Sequence, residues 1–192
     1  RRAGRFGIDA GPLEIDARRV YGHVRSTIAA IAPNDSIERF EGMGVHVIQA
    51  AARFTGPREV EAGGKRIRAR RFVVATGSSP FVPPIPGLDE TPYFTNETLF
   101  EGGDALPGHL IVIGGGPIGI EMAQAHRHLG CKVTLLEMFG IMPKDDPELV
   151  AVLRERLIED GIDIREGVGV TGVEKTPDGV RVRFAGKDGD EA

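Results

Sequence analysis

The glycine-rich run Gly114-Gly115-Gly116-Pro117-Ile118-Gly119 has the residue types and spacing that suit phosphate binding. An apolar stretch, residues 109–113, precedes the run and is typical of a buried strand. The residues after the run indicate a helix that ends at Gly130. Strand, glycine turn and helix in this order predict a dinucleotide-binding site, because the start of such a helix attracts a pyrophosphate. The alternative is a purely structural turn.

Each residue of the run has its own expected task. Gly114 permits the tight turn from strand to helix, Gly116 lets the backbone approach the pyrophosphate, and Gly119 lets the helix pack closely on its strand. Pro117 fits the first helical position, where no N–H donor is needed and its fixed φ is already helical. The free N–H groups that follow, including that of Ile118, then face the phosphates at the positive end of the helix dipole.

Glu137 ends the next apolar stretch, 23 residues after Gly114, which is close to the spacing of an acid that accepts hydrogen bonds from the adenosine ribose. A carboxylate at this place repels a 2′-phosphate. Residues 138–143, which begin with the site residue Met138, include no arginine that could hold such a phosphate. NAD is therefore predicted in preference to NADP, the alternative being that Glu137 is a solvated strand end.

The elements around these residues alternate between strand and helix. Parallel strands joined by helices define a doubly wound α/β fold, which here continues into an antiparallel hairpin. The predicted strands are 109–113, 132–137 and 162–165, the helices are 117–129 and 147–159, and the hairpin joins 168–174 to 180–184.

The first part of the chain has a different pattern. The predicted elements are a helix capped by Asp16 and ended by Pro33, a short helix started by the capping box of Asp35 and Glu38, a strand at 45–48, a hairpin about Gly63-Gly64, and a buried strand at 72–75. A high density of prolines between Pro80 and Pro107 indicates a stiff connection. The domain boundary is placed there, with a domain at 1–88, a linker at 89–108 and a second domain at 109–192.

Three motifs in order carry a family resemblance: Val73-Val74-Ala75-Thr76-Gly77-Ser78-Ser79-Pro80, then Pro84-Ile85-Pro86-Gly87, then Gly114 to Glu121. In this order they resemble the middle of the flavin-dependent pyridine nucleotide-disulfide oxidoreductases, particularly the dihydrolipoamide dehydrogenases and mercuric-reductase-like proteins. The likeness runs from the helix after Asp16 through the hairpin at Gly179. It implies an NAD-binding Rossmann domain that interrupts an FAD-binding domain, of which residues 1–88 form a part.

The resemblance also implies roles for single residues. Thr76, Gly77 and Ser78 are expected beside the FAD, and the backbone near Ala52 is expected at its adenine. Val170 is expected against the adenine of NAD. Glu121 matches a glutamate that pairs, in the family, with a lysine near the flavin, so its expected role is supporting rather than catalytic; the alternative is an ordinary helix-surface acid.

The same resemblance implies a homodimer in the full-length protein and electron flow from NADH through FAD to a disulfide or another small-molecule acceptor. The first flavin glycine run and the redox cysteines would precede residue 1, and the closing strand and the dimerisation domain would follow residue 192. The start at Arg1-Arg2 and the polar end from Gly186 agree with such a central fragment. The fragment alone is expected to be inactive, with no catalytic residue of its own.

Composition excludes several other functions. The 24 basic and 28 acidic residues give a net charge of −4, which argues against nucleic acid as a partner. The one basic run, 65–71, is expected to be an edge strand with a solvated face. No apolar stretch approaches the roughly 20 residues that span a bilayer, so no membrane is expected and a cytoplasmic location is predicted.

Metal and thiol chemistry are not expected in this chain. The single cysteine, Cys131, lacks a partner in the sequence and is expected to be a small buried residue. His126 and His128 are two residues apart on a helix, a spacing that puts them on different faces, and they are expected to be solvated.

Two functional alternatives remain open at this point. The first is an NADH oxidase or quinone-type flavin reductase of the same two-dinucleotide plan, which uses one cysteine or none. The second is a non-catalytic NAD-sensing module, which leaves the Ala75-Thr76-Gly77 segment as no more than a strand turn.

Overall fold

The structure is a computed structural model and describes residues 6–9, 11, 14–101, 105–186 and 189–191. Arg1, Arg2 and part of the polar end, on which the fragment prediction rests, lie outside these residues. The described chain divides into two compact units. One contains the residues up to Gly22 together with those from Pro80 onward, and the other contains residues 23–79.

The larger unit contains a parallel sheet, as predicted. Its strands are β4 (His109–Ile113), β5 (Lys132–Glu137) and β6 (Ile162–Glu166), in the order β4-β5-β6. Helix α3 (Pro117–His128) connects the first two strands, and helix α4 (Pro147–Glu159) connects the second two. Asp146 caps α4 by accepting a hydrogen bond from the Glu148 N–H at 2.9 Å. One residue after the end of each helix, Leu129 or Asp160, precedes a glycine with a left-handed φ, at Gly130 and Gly161.

The alternation of side chains along β5 explains why both faces of the sheet are covered. Val133 and Leu135 point to the face that carries the helices and pack in a core with Leu157 of α4. Leu136 points to the opposite face and packs with Val173. A strand that is apolar on both faces is typical of a parallel sheet between two layers.

The second layer is an antiparallel sheet formed by β7 (Gly169–Thr176), β8 (Gly179–Gly186) and β9 (Gly189–Glu191), in that order. The predicted hairpin is therefore confirmed, with strands longer than expected. An irregularity between Val170 and Gly172 shifts the register of the β7–β8 pair. Strand β9 was not predicted.

The proline-rich segment crosses this antiparallel sheet closely. Two 3₁₀ turns, Leu88–Glu90 and Leu99–Glu101, interrupt it, and Leu88 and Leu99 are buried. The Val173 N–H donates a hydrogen bond to the Pro86 carbonyl at 2.8 Å. Gly87 has φ +81°, and a Cβ at this position would overlap the Val173 carbonyl oxygen. The boundaries proposed at residues 88 and 108 stay predictions.

The first part of the chain contains helix α1 (Ala17–Ile31), helix α2 (Ile37–Gly42) and an antiparallel sheet of β1 (Ala52–Gly56), β2 (Glu59–Ala62) and β3 (Lys65–Arg68). Asp16 caps α1 as predicted, with its carboxylate 2.9 Å from the Arg18 N–H. The prediction of a capping box at Asp35 is wrong, because Asp35 ends a 3₁₀ turn and Ser36 caps α2 instead. In the described sheet β3 is an exposed edge strand, as expected for the basic run, whereas β1 was not predicted.

Two further predicted strands are absent from the described residues. Residues 45–48 form neither helix nor strand. Residues 72–75 belong to no helix or strand, and the side chain of Val73 is 91% exposed, so the prediction of a buried strand is wrong. A β-branched run forms a strand only where a neighbouring strand pairs with its N–H and C=O groups. No described segment pairs with these residues.

Among the described residues, no helix combines the length and the apolar character needed to cross a membrane.

The close approach of Gly87 to β7 generates a stability prediction. Gly87→Ala is expected to lower the free energy of unfolding by about 2–4 kcal/mol, because it adds left-handed backbone strain to overlap with a carbonyl. The measurement is urea unfolding. Gly167→Ala is the matched control, since Gly167 has φ +72° but open space around its Cβ position, and a loss of only about 1 kcal/mol is expected. Equal losses for the two variants would contradict the assigned contact.

Candidate functional site

The glycine run turns the chain from the end of β4 into α3. Gly114 has φ +111°, and its N–H donates to the Leu136 carbonyl at 2.9 Å, which ties the turn to β5. Gly116 is the N-cap of α3 and Pro117 is the first helical residue, as predicted. No side chain caps this helix. The N–H groups of its first turn therefore face outward at the carboxyl edge of the sheet, where parallel sheets bind their ligands.

The glycines of the run differ in what surrounds them. A Cβ on Gly119 would overlap the Gly114 carbonyl oxygen and touch Val112. A Cβ on Gly116 would meet no atom within 4 Å, and the backbone there has an ordinary φ of −77°. Gly119 is thus needed for helix packing, whereas the space above Gly116 is free for a ligand.

Glu137 lies against this turn and fixes it. One carboxylate oxygen accepts from the Gly115 N–H at 2.7 Å, and the other accepts from the Phe139 N–H at 2.9 Å. Two carboxylate oxygens can accept about four hydrogen bonds, so capacity for ribose hydroxyls remains. Glu137 is half-buried, which favours a single orientation of the carboxylate.

The other residues predicted for this site lie near the same edge. Ile118 and Met138 have exposed side chains. The chain enters β7 beside the end of β5, where the Val168 N–H donates to the Glu137 carbonyl at 3.1 Å, and Val170 is half-buried two residues further on. Glu121 is exposed on α3. The structure thus brings the predicted NAD-binding residues into one compact unit.

The residues predicted to touch FAD belong to the other unit. Ala52 begins β1, and Thr76, Gly77 and Ser78 belong to no helix or strand; all four are exposed. Gly77 has φ +69°. No hydrogen bond between Ala52 and the other three is found among the described residues, so their common role stays a prediction.

Sequence reasoning missed a second carboxylate beside the glycine turn. Glu166, at the end of β6, accepts from the Ile141 N–H at 2.7 Å and forms a two-pronged ion pair with Arg154 of α4, at 2.6 and 3.1 Å. Burial by itself would raise the pKa of Glu166, but the hydrogen bonds from Arg154 and Ile141 and the charge of Arg154 lower it overall. These residues are distant in sequence and belong to no recognised motif.

The predicted burial is correct for Cys131 but not for both helix histidines. Cys131 is buried, as predicted, and burial raises the pKa of its thiol. The prediction that His126 is solvated is wrong: it is buried, with Nδ1 2.8 Å from the Met122 carbonyl oxygen. Its spacing from Ile120 and Ala123 puts it on the buried face of α3. His128 is about half exposed and lies 3.2 Å from Asp160.

A cavity of about 400 Å³ lies on the face of the parallel sheet that carries the antiparallel sheet, and it is lined by alternate residues of β4, β5 and β6 and by residues of β8. Its polar lining includes a hydrogen bond between His109 Nε2 and Thr134 Oγ1 at 3.0 Å and another from Arg165 to Asp163 at 3.0 Å. None of the residues predicted to bind a dinucleotide lines this cavity.

Comparisons with known proteins agree with this arrangement. The family described as pyridine nucleotide-disulphide oxidoreductase matches residues 13–192. A dihydrolipoyl dehydrogenase of Thermus scotoductus is 35% identical over 188 residues, which cover 96% of this chain and 40% of that protein. A mercuric reductase of Bacillus cereus is 32% identical over 184 residues, which cover 94% of this chain and 29% of that protein.

Solved structures of similar fold include two proteins with recognisable sequence similarity to this chain. The crystal structure of LpdA from Mycobacterium tuberculosis has a TM-score of 0.74 at 28% identity, with 98% of this chain and 42% of that chain covered. The HOCl-induced flavoprotein disulfide reductase RclA from Escherichia coli has a TM-score of 0.72 at 27% identity, with coverage of 92% and 41%.

The chain belongs to the pyridine nucleotide-disulfide oxidoreductase family. Enzymes of this family depend on FAD and receive electrons from a pyridine nucleotide, they are generally homodimers, and they use small-molecule substrates. The chain spans about two fifths of the length of the Thermus scotoductus relative.

The lowered pKa of Glu166 generates a prediction about pH. A carboxyl whose pKa is lower in the folded state stabilises the fold above the unfolded value, about 4.3 for glutamate, and loses this contribution as the pH falls through the folded value. Glu166→Gln is therefore expected to cost up to about 1 kcal/mol near neutral pH and less in acid. The measurement is urea unfolding of both proteins from about pH 6 to about pH 3. A cost that is independent of pH would contradict the assignment.

Proposed function

We propose that the chain binds NADH at the Gly114–Gly119 turn and that its parent protein transfers a hydride from NADH to FAD. Two electrons then pass to a disulfide or a similar small-molecule acceptor; a disulfide is reduced to two thiols by these electrons and two protons. The full-length protein is proposed to act as a homodimer. Family membership and the geometry of the turn support this proposal.

The open space at Gly116 is the observation that carries the proposal. The surrounding protein would accept a Cβ there, and the backbone conformation is one that alanine adopts readily. Apart from a modest preference for glycine over alanine at an N-cap, the fold does not require glycine at this position. A pyrophosphate held by the first-turn N–H groups of α3 would require it, because a methyl group would occupy the place of a phosphate oxygen.

The surroundings of Glu137 favour NAD over NADP. Its carboxylate is held in place by two N–H groups and retains free acceptor capacity. A 2′-phosphate placed there would meet a negative charge, and residues 138–143 contain no cation to offset it; Lys144 is the first. The exposed side chains of Met138 and Phe139 would offer an apolar surface to the adenosine.

The flavin half of the proposal depends on the family. Thr76, Gly77 and Ser78 are proposed to lie beside the FAD and Ala52 near its adenine, with Glu121 in a supporting role near the flavin. The left-handed φ of Gly77 agrees with a backbone shaped for close approach. If the parent protein does not take up FAD, the NAD-sensing alternative replaces the enzyme.

The contrast between Gly116, which has open space around it, and Gly119, which is closely packed, generates a prediction about binding and stability. Gly116→Ala is expected to raise the Kd for NADH at least about tenfold while changing the free energy of unfolding by less than about 1 kcal/mol. Gly119→Ala is the contrasting variant, expected to lower stability by about 1–3 kcal/mol through overlap with the Gly114 carbonyl. Nicotinamide fluorescence and urea unfolding measure the two effects. Unchanged NADH binding in Gly116→Ala would argue against a pyrophosphate at the turn.

Flavin reduction tests the whole proposal and the role of Glu137 together. The full-length protein, reconstituted with FAD, is mixed without oxygen with NADH or NADPH, and the loss of the visible flavin absorption is followed. Reduction is expected to reach half its maximal rate at a concentration of NADH at least about tenfold lower than that of NADPH. Glu137→Gln is expected to bring the half-maximal concentrations of NADH and NADPH closer together.

Asp163→Asn is the matched control, because it removes a carboxylate at the second residue of β6, near the strand end opposite to the glycine turn. It is expected to leave the preference for NADH unchanged. Failure to reduce the flavin with either nucleotide would refute the proposed electron path, and a preference for NADPH would refute the assignment of Glu137.

A further inference from the structure

We propose that Arg154 and Glu166 are a positioning pair for the dinucleotide site and increase its affinity for NADH by holding Ile141 against Gly115. This inference rests on the proposed function. No atom of either residue lies within 4 Å of a Cβ built on Gly116, so we assign the effect of both residues to the backbone of the loop between β5 and α4, residues 138–146.

The loop has three fixed points that connect α4 to the glycine turn. The Ile141 N–H donates to Glu166 Oε1 at 2.7 Å, and the Met142 N–H donates to the Gly115 carbonyl at 2.9 Å. The side chain of Ile141 is 2% exposed, and its Cγ2 is only 2.8 Å from where a Cβ of Gly115 would lie. A displacement of Ile141 would therefore displace Gly115, whose N–H binds Glu137.

Charge explains why this arrangement needs Arg154. Glu137 and Glu166 are direct partners across the β5–β6 ladder, so two carboxylates end neighbouring strands side by side. Like charges opposite each other in a sheet repel. The guanidinium of Arg154 binds both oxygens of Glu166, which offsets this repulsion and keeps one oxygen on the Ile141 N–H. Without Arg154, the same N–H would have a weaker or displaced acceptor.

Helix α4 provides a matched control at Arg156. Its guanidinium lies 2.6 Å from Asp160, an ion pair within the last turns of the helix and away from the glycine turn. The side chains of Arg154 and Arg156 are equally exposed, at 34% and 33%. Arg156 also lies 3.2 Å from Glu159. Replacing Arg154 by methionine removes its ion pair with Glu166, and replacing Arg156 removes its pairs with Asp160 and Glu159. Both changes retain an unbranched side chain, but only the pair of Arg154 touches the loop.

The experiment measures the Kd of the full chain for NADH and for ADP-ribose by calorimetry in wild type, Arg154→Met, Arg156→Met, Arg154→Lys and Glu166→Gln. Arg154→Met is expected to raise both Kd values about fivefold, and Arg156→Met to leave them within about twofold. Arg154→Lys, which keeps the charge, and Glu166→Gln, which keeps an acceptor for the Ile141 N–H, are expected to recover most of the affinity. Circular dichroism and thermal unfolding report the fold of each variant.

The outcomes separate the two proposals. If wild type binds neither NADH nor ADP-ribose, the proposed function is wrong and the positioning role is wrong with it. If wild type binds both and the two methionine variants have the same affinity, the proposed function stands and the positioning role is overturned. If Arg154→Met does not fold, Arg154→Lys and Glu166→Gln decide. Kd values for both variants above that of Arg156→Met support the pair, and Kd values equal to that of Arg156→Met overturn it.

Discussion

The hydrogen bond from the Gly115 N–H to Glu137 is the interaction on which the site depends. It joins the turn after β4 to the end of β5 over 2.7 Å, at the edge where both parallel strands finish. A glycine turn has little side-chain packing of its own, so its conformation must be set by groups outside it. Glu137 provides one such group and places its own carboxylate beside the helix start in doing so. The structure thereby couples the shape of the turn to the position of the residue that would face the ribose.

The accuracy of the sequence prediction follows the range of the interactions involved. The elements between His109 and Glu166 were predicted within a residue at most ends, because local signals such as Asp146 and Gly130 mark them. The segments at 45–48 and 72–75 were predicted as strands from their largely apolar composition. A strand also requires a partner, and composition carries no information about which segment lies beside it.

In the site, too, residues set by local spacing were predicted, whereas contacts between distant residues were not. Gly114, Gly116, Gly119 and Glu137 could be assigned from spacing, because a turn into a helix and the next strand end have nearly constant lengths in this kind of fold. The contact of Ile141 with Glu166 joins residues 25 apart, and that of Glu166 with Arg154 joins residues 12 apart on different elements. An arginine on a helix and a glutamate at a strand end are ordinary surface residues in a sequence. Only the register of β5 and β6 places the two carboxylates side by side.

A glycine motif combines two constraints that the sequence cannot separate. Gly119 has to be glycine because the Gly114 carbonyl occupies the place of its side chain, a requirement of the fold with or without a ligand. Gly116 has open space around it, so the protein alone gives only a weak reason for glycine there. The strength of the motif as evidence for a dinucleotide thus lies mainly in Gly116, since Gly119 would be found in any helix that packs this closely on its strand. The structure therefore distinguishes the glycine that the fold requires, Gly119, from the one that it does not, Gly116.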